Sequence, residues 1–179
     1  MTIERRGGNS VGAIIKACRL MTRMNQATPG ARQSDVLYYK MLEGYYRRLL
    51  QAHDDGKLIA AHTDFFPVEL VYAMDIVPMH TEVTTWMMTL FTGENEDILS
   101  ASAELGLASE ICTPHRGLAG AFVTGAIPRP DIMLWSNLVC DNTAKSGELI
   151  MDVTGSDGFF LDHPFKQSDE EGKYLVEGL

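Results

Sequence analysis

Cysteine is scarce in this chain: Cys18, Cys112 and Cys140 are all it has, and no two form a CxxC pair. An odd count without that spacing makes neither a disulfide framework nor the paired motif of a structural zinc site. Basic residues are scarce too. Fifteen Lys and Arg against 24 Asp and Glu leave a formal net charge of −9, which argues against nucleic acid or an anionic membrane as the main partner. No apolar run approaches the ~18 residues of a membrane span, and no signal-peptide pattern is visible. The expectation is therefore a reduced, cytoplasmic protein. The common nucleotide and protease motifs are also missing. Gly117, Gly120 and Gly125 have the wrong spacing for GxGxxG, and neither GxxxxGK[ST] nor HExxH occurs.

What is present is an ordinary globular composition, 45% hydrophobic and 22% charged, in a 179-residue chain long enough to bury its own core. Val11, Ile14, Ile15, Cys18 and Met21 follow helical spacing, so Cys18 falls on the buried stripe of a helix, where free cysteine commonly serves as a small hydrophobe. A second helix runs from Ser34-Asp35 to a glycine stop at Gly56, with Tyr38, Leu42, Tyr45 and Leu49 on a packing face. Residues 1–56 thus read as an N-terminal helical segment.

From residue 57 to 179 the pattern changes to α/β. Short runs at Leu58–Ala61, Ile76–Met79, Asp131–Trp135 and Gly158–Asp162 predict four strands, the first of them buried. Helices are predicted between them: one after Pro67, two over Thr81–Glu110 broken near Gly93, one over Arg116–Thr124, and one from Asp141 to about Val153. A last helix starts at Ser168, with Asp169, Glu170 and Glu171 in its first turn.

Chemistry is expected between Cys112 and Asp141. Cys112 precedes Thr113-Pro114, a helix-start signal. Cys140 follows an apolar strand and precedes Asp141, a residue suited to capping the next helix. A thiol at a helix start is more easily ionised, and the thiolate is the form that binds metal. From residue chemistry alone two uses stand open, structural cysteines or a soft-metal or iron–sulfur site. A nucleophilic pairing of Cys112 with His115, His62 or His163 is a weaker third. Glu69, in the first turn of the helix after the first strand, lies at the edge where α/β sheets bind ligands, or simply complements the helix dipole.

Four segments, in order, resemble the 2-hydroxyacyl-CoA dehydratase and benzoyl-CoA reductase subunit family: HTDFFPVELVYAMDIVPM, ICTPHRGLAG, PDIMLWSNLVCDN, and FFLDHPF with KYLVEGL. The resemblance implies a Rossmann-like three-layer domain with a short, mostly parallel sheet and an oxygen-sensitive [4Fe–4S] cluster beside a CoA thioester. Cys112 and Cys140 occupy the positions of two cluster ligands. Glu69 matches a glutamate near the substrate with a proton-transfer role, and Arg116 steadies the cluster or the thioester. The implied partners are an acyl-CoA or aromatic-CoA substrate, a homologous second subunit and an ATP-dependent iron–sulfur activator. The implied activity is that of a lyase, in which a one-electron reduction of the thioester carbonyl to a ketyl radical expels the hydroxyl.

Subunits of that family are about twice this length, with a second α/β domain carrying a third cluster cysteine. The expectation is accordingly the N-terminal part of such a subunit, truncated before that domain, with an incomplete ligand set and inactive alone. A benzoyl-CoA reductase-type subunit, or a non-catalytic or electron-transfer α/β module, are the alternatives.

Overall fold

The computed structural model describes residues 8–164, 166 and 168–178. Two long helices come first, α1 (Asn9–Ala27) and α2 (Gln33–Gln51). Helix α2 stops a turn short of the expected glycine. The chain leaves the helix at Ala52 and turns through Gly56, which frees His53 to pair its Nε2 with Asp131 Oδ2 at 2.8 Å.

The α/β part follows as β1 (Ile59–His62), α3 (Val68–Ala73), β2 (Val77–His80), α4 (Thr81–Phe91), α5 (Asn95–Glu104), α6 (Thr113–Val123), β3 (Ile132–Ser136), α7 (Asp141–Thr154), β4 (Asp157–Leu161) and α8 (Asp169–Gly178). The four strands make one parallel sheet in the order β2-β1-β3-β4. A parallel sheet needs a crossover between neighbours, and the helices supply it. They also cover both faces, as the α/β expectation requires. No helix among the described residues is long and apolar enough to cross a membrane.

Alternation along the strands sorts the core into two layers. Ile59 and Ala61 of β1, and Met133 and Trp135 of β3, face a large cluster with Met79, Met88, Leu118, Phe122 and Ile150. Val11, Ile14, Cys18, Tyr46 and Leu49 belong to that same cluster, so the N-terminal helices share one continuous core with the sheet. Cys18 is fully buried there, and desolvation raises its thiol pKa. Ala60 points the other way, with Ile132 and Leu134, into a thinner layer closed by Phe66, Val71, Leu161 and Leu175.

Two glycines permit close approach between packed elements. A Cβ on Gly120 would stand 1.9 Å from the Ile98 carbonyl oxygen, so α5 and α6 touch backbone to backbone. A Cβ on Gly147 would stand 2.5 Å from the Trp135 ring, so α7 lies directly on β3.

Strand order also locates the site. From β1 the chain crosses to β2 on one side, and later returns to β3 on the other. The order therefore reverses between β1 and β3. Beyond the carboxyl ends of the strands at such a switch point, the connections part and leave a crevice.

Candidate functional site

A cleft of about 190 Å³ opens at that switch point. The ends of three strands build it: Asp64 follows β1, Glu82 opens the helix after β2, and Ser136 ends β3. The starts of α6 and α7 close it with Cys112, His115 and Cys140. Both cysteines thus border one cleft, although 27 residues of chain separate them.

Each cysteine is the N-cap residue of its helix, Cys112 of α6 and Cys140 of α7, and neither side chain makes a capping hydrogen bond. Asp141, expected as the cap of α7, is instead its first helical residue. The turn is fastened from within, because the Thr143 hydroxyl lies 2.6 Å from the Cys140 carbonyl and also contacts the Ser136 carbonyl. Cys140 therefore takes the extended backbone of a cap, and its thiol is spared. Cys112 is exposed and Cys140 half-buried. Helix N-termini carry partial positive charge, which favours anionic groups placed there.

The other expected residues fall outside the cleft lining. Glu69 is exposed in the first turn of α3. Arg116 turns back to donate from Nη1 to the Ser109 carbonyl at 3.2 Å, tying down the loop that leads into Cys112.

A different carboxylate occupies the wall. Glu82 is 6% exposed. Its Oε2 lies 2.6 Å from the Thr81 hydroxyl, and its Oε1 is buried without a hydrogen-bond partner among the described residues. Ser136 Oγ, on the same wall, is likewise buried and unpartnered. Such an atom typically costs about 1–3 kcal/mol when nothing satisfies it. Two such atoms belong to residues that line one cleft, whose accessible surface is otherwise mainly apolar.

Two histidines end the neighbouring strands beside this wall. His62 and His80 stack edge to face with ring centroids 4.9 Å apart. Burial first, and the adjacent His80 second, push the His62 pKa down to about 4. His80 Nε2 lies 2.7 Å from Asp64 Oδ1, and its Nδ1 accepts from the Val83 N–H at 3.4 Å. One ligand atom each from Asp64, His80 and Glu82 falls within 4.8 Å of the others. With both ring nitrogens of His80 already engaged, the trio is better described as a hydrogen-bonded support for the wall than as a cation site.

Opposite, His115 is 4% exposed, and its Nδ1 lies 2.8 Å from Ser146 Oγ on α7. Desolvation lowers its pKa, against upward pulls from Glu82 and Asp64. Beyond β3, Asn137 bridges the outer loops, donating to Asp162 Oδ1 and accepting from the His163 N–H, each at 2.6 Å.

Sequence reasoning missed Glu82, His80 and Ser136. One signal was available: His80-Thr81-Glu82 follows an apolar strand directly, at the same sheet edge that was used to single out Glu69. The model of a protein family described as 2-hydroxyglutaryl-CoA dehydratase, D-component, matches residues 64–179. No match was found among curated proteins.

Proposed function

Because the chain belongs to the 2-hydroxyglutaryl-CoA dehydratase D-component family, we propose that its cleft holds an iron–sulfur cluster on Cys112 and Cys140 and serves the dehydration of a 2-hydroxyacyl-CoA thioester. The observation that carries this reading is the meeting of two uncommitted thiols at one cleft, from the caps of separate helices. The donor set suits the group, since thiolates are the usual ligands of iron–sulfur clusters. Pockets that enclose drug-sized ligands are ~300–1,000 Å³, larger than this cleft. The cleft accordingly takes a compact inorganic group and the reacting end of a thioester, while the rest of the CoA lies outside.

When bound, a [4Fe–4S] cluster supplies single-electron transfer and a Lewis-acidic iron beside the thioester. The chain's own residues do the rest. Cys112 and Cys140 anchor, and the N-termini of α6 and α7 offset negative charge. Glu82, on the cleft wall, is the group this reading gives the holding or accepting of a proton, and Ser136 the orienting of a substrate oxygen. This gives Glu82 the proton-transfer role expected of Glu69, which remains available on the solvent side of α3 to outer parts of the substrate. Arg116 acts as a positioning residue, fixing the Ser109–Cys112 loop. The family's description supports a second dehydratase component and a CoA thioester as partners; an ATP-dependent iron–sulfur activator is the electron source this reading proposes. Ligands beyond these two thiols complete the cluster.

Anaerobic reconstitution with iron and sulfide tests the reading. Wild type should retain iron and sulfide after desalting and show broad visible absorption. The Cys112→Ala, Cys140→Ala double variant should show neither. Equal retention and equal spectra in the two proteins would remove the cluster from this cleft.

A further inference from the structure

We propose that the acyl tail of the thioester lies in a second cavity beside the cleft, and that this cavity selects an uncharged, apolar acyl group over one ending in a carboxylate. The proposal rests on the cleft serving a 2-hydroxyacyl-CoA, and its test separates the two. A cavity of about 320 Å³ lies between α4, α5 and the start of α6. It reaches the low end of small-molecule pockets, ~300 Å³, which the cleft alone does not. Trp86 and Pro114 border both spaces. Helix α4 runs from one to the other. Glu82, Thr85, Trp86 and Thr89 stand at i, i+3, i+4 and i+7, which is a single helical face. Glu82 lines the cleft, Trp86 lines both spaces, and Thr85 and Thr89 line the cavity. At ~1.5 Å per residue this face extends about 10 Å, so a thioester reacting beside Glu82 has its acyl tail led along α4 into the cavity.

The lining fixes what the cavity accepts. Met88, Ile98 and Leu99 join Trp86 and Pro114 in a mainly apolar wall. Among the described residues, no Lys, Arg or His belongs to it. Two of its threonines offer no donor either. The Thr85 hydroxyl donates to the Thr81 carbonyl and the Thr89 hydroxyl to the Thr85 carbonyl, each at 3.0 Å. A hydroxyl carries one hydrogen, so both are committed to the backbone of α4. The Asn95 amide nitrogen turns toward the Thr89 carbonyl, 3.5 Å away. A carboxylate in this space would lose its hydration without gaining a cation, at heavy cost. Methylenes gain by leaving water, by about fourfold in affinity for each one buried. The family's description names a glutaryl thioester, whose tail ends in a carboxylate; this cavity suits a different acyl group.

The test is calorimetric titration of the full chain, reconstituted anaerobically, with CoA, 2-hydroxybutyryl-CoA, 2-hydroxyhexanoyl-CoA and 2-hydroxyglutaryl-CoA. Two added methylenes should make the hexanoyl thioester bind about tenfold more tightly than the butyryl thioester. The glutaryl thioester should bind more weakly than either. Thr89 is exposed on the cavity wall, so Thr89→Arg leaves the core intact and brings a cation to the tail. That variant should bind the glutaryl thioester at least tenfold more tightly than the wild type does, and the hexanoyl thioester more weakly. Thioesters that bind more tightly than CoA but without regard to acyl length, or with the glutaryl thioester preferred, would overturn the proposal and leave the thioester reading of the cleft intact. An order of affinities unchanged in Thr89→Arg would also overturn it, by placing the tail elsewhere. Thioesters that bind no more tightly than CoA would overturn both readings.

Discussion

Acid should weaken this fold through His62, and the amount can be worked from its surroundings. The residue ends β1, 5% exposed, with its Nδ1 3.2 Å from the Thr63 carbonyl. Burial, then the His80 ring, lower its pKa from 6.5 to about 4, against smaller upward pulls from the Thr63 carbonyl and Asp64. Below about pH 6.5 the unfolded chain binds a proton that the folded chain refuses. The stability tied to this group is therefore complete above that pH and drains away as pH falls toward 4. One pKa unit corresponds to about 1.4 kcal/mol, so the loss is about 2 kcal/mol at pH 5 and about 3 kcal/mol at pH 4. Urea unfolding of wild type and His62→Gln, each at pH 7.5 and pH 5, isolates the contribution, because other titrating groups act alike in both proteins. The wild type should lose about 2 kcal/mol more than the variant between the two conditions. Identical losses would refute a buried, neutral imidazole at the end of β1.

Other consequences are local. Gly120→Ala should destabilise by about 1–3 kcal/mol despite its better helix propensity, because the new methyl would meet the Ile98 carbonyl. Gly44→Ala, in α2 with nothing within 4 Å of its added Cβ, should stabilise by about 0.5–1 kcal/mol; chemical denaturation measures both. Asn137→Ala removes the bridge to Asp162 and the His163 N–H and should cost about 1–2 kcal/mol, with faster amide exchange at His163. Asp131→Asn should cost about 1–2 kcal/mol in the same unfolding assay, because Asp131 Oδ2 accepts from the Ile59 N–H at 2.8 Å as well as pairing with His53.

The α/β layout was legible because each strand is a short apolar run between breakers. Ile132–Ser136 lies just after Pro130, and Ile59–His62 follows a glycine turn. The errors at strand ends have a common cause. Leu58 belongs to the expected first strand by hydropathy but is 48% exposed, whereas His62 and His80 extend β1 and β2 as polar residues. Polar strand ends are hard to read from hydropathy, and here they adjoin the candidate site. The cap at Cys140 was misread for a related reason. Asp141 has the better capping side chain, but the Thr143 hydroxyl fastens the turn through backbone carbonyls, and this needs no capping side chain at all.

Strand order was not legible, since nothing in an apolar run says which neighbour it pairs with. The convergence of Cys112 and Cys140 on one cleft depends on that order. Glu82 was hidden because an acidic residue at a helix start ordinarily reads as exposed, and only the packed structure shows that it is buried. The His115–Ser146 contact joins residues 31 apart on two helices, beyond any local pattern.

Diffraction from crystals of the anaerobically reconstituted protein, with data collected on both sides of the iron absorption edge, tests the central claim most directly. The anomalous difference density should fall in the cleft at the starts of α6 and α7, within bonding reach of Cys112 and Cys140. Iron density at another place in the molecule, or iron-loaded crystals in which both thiols stand free of it, would contradict the account.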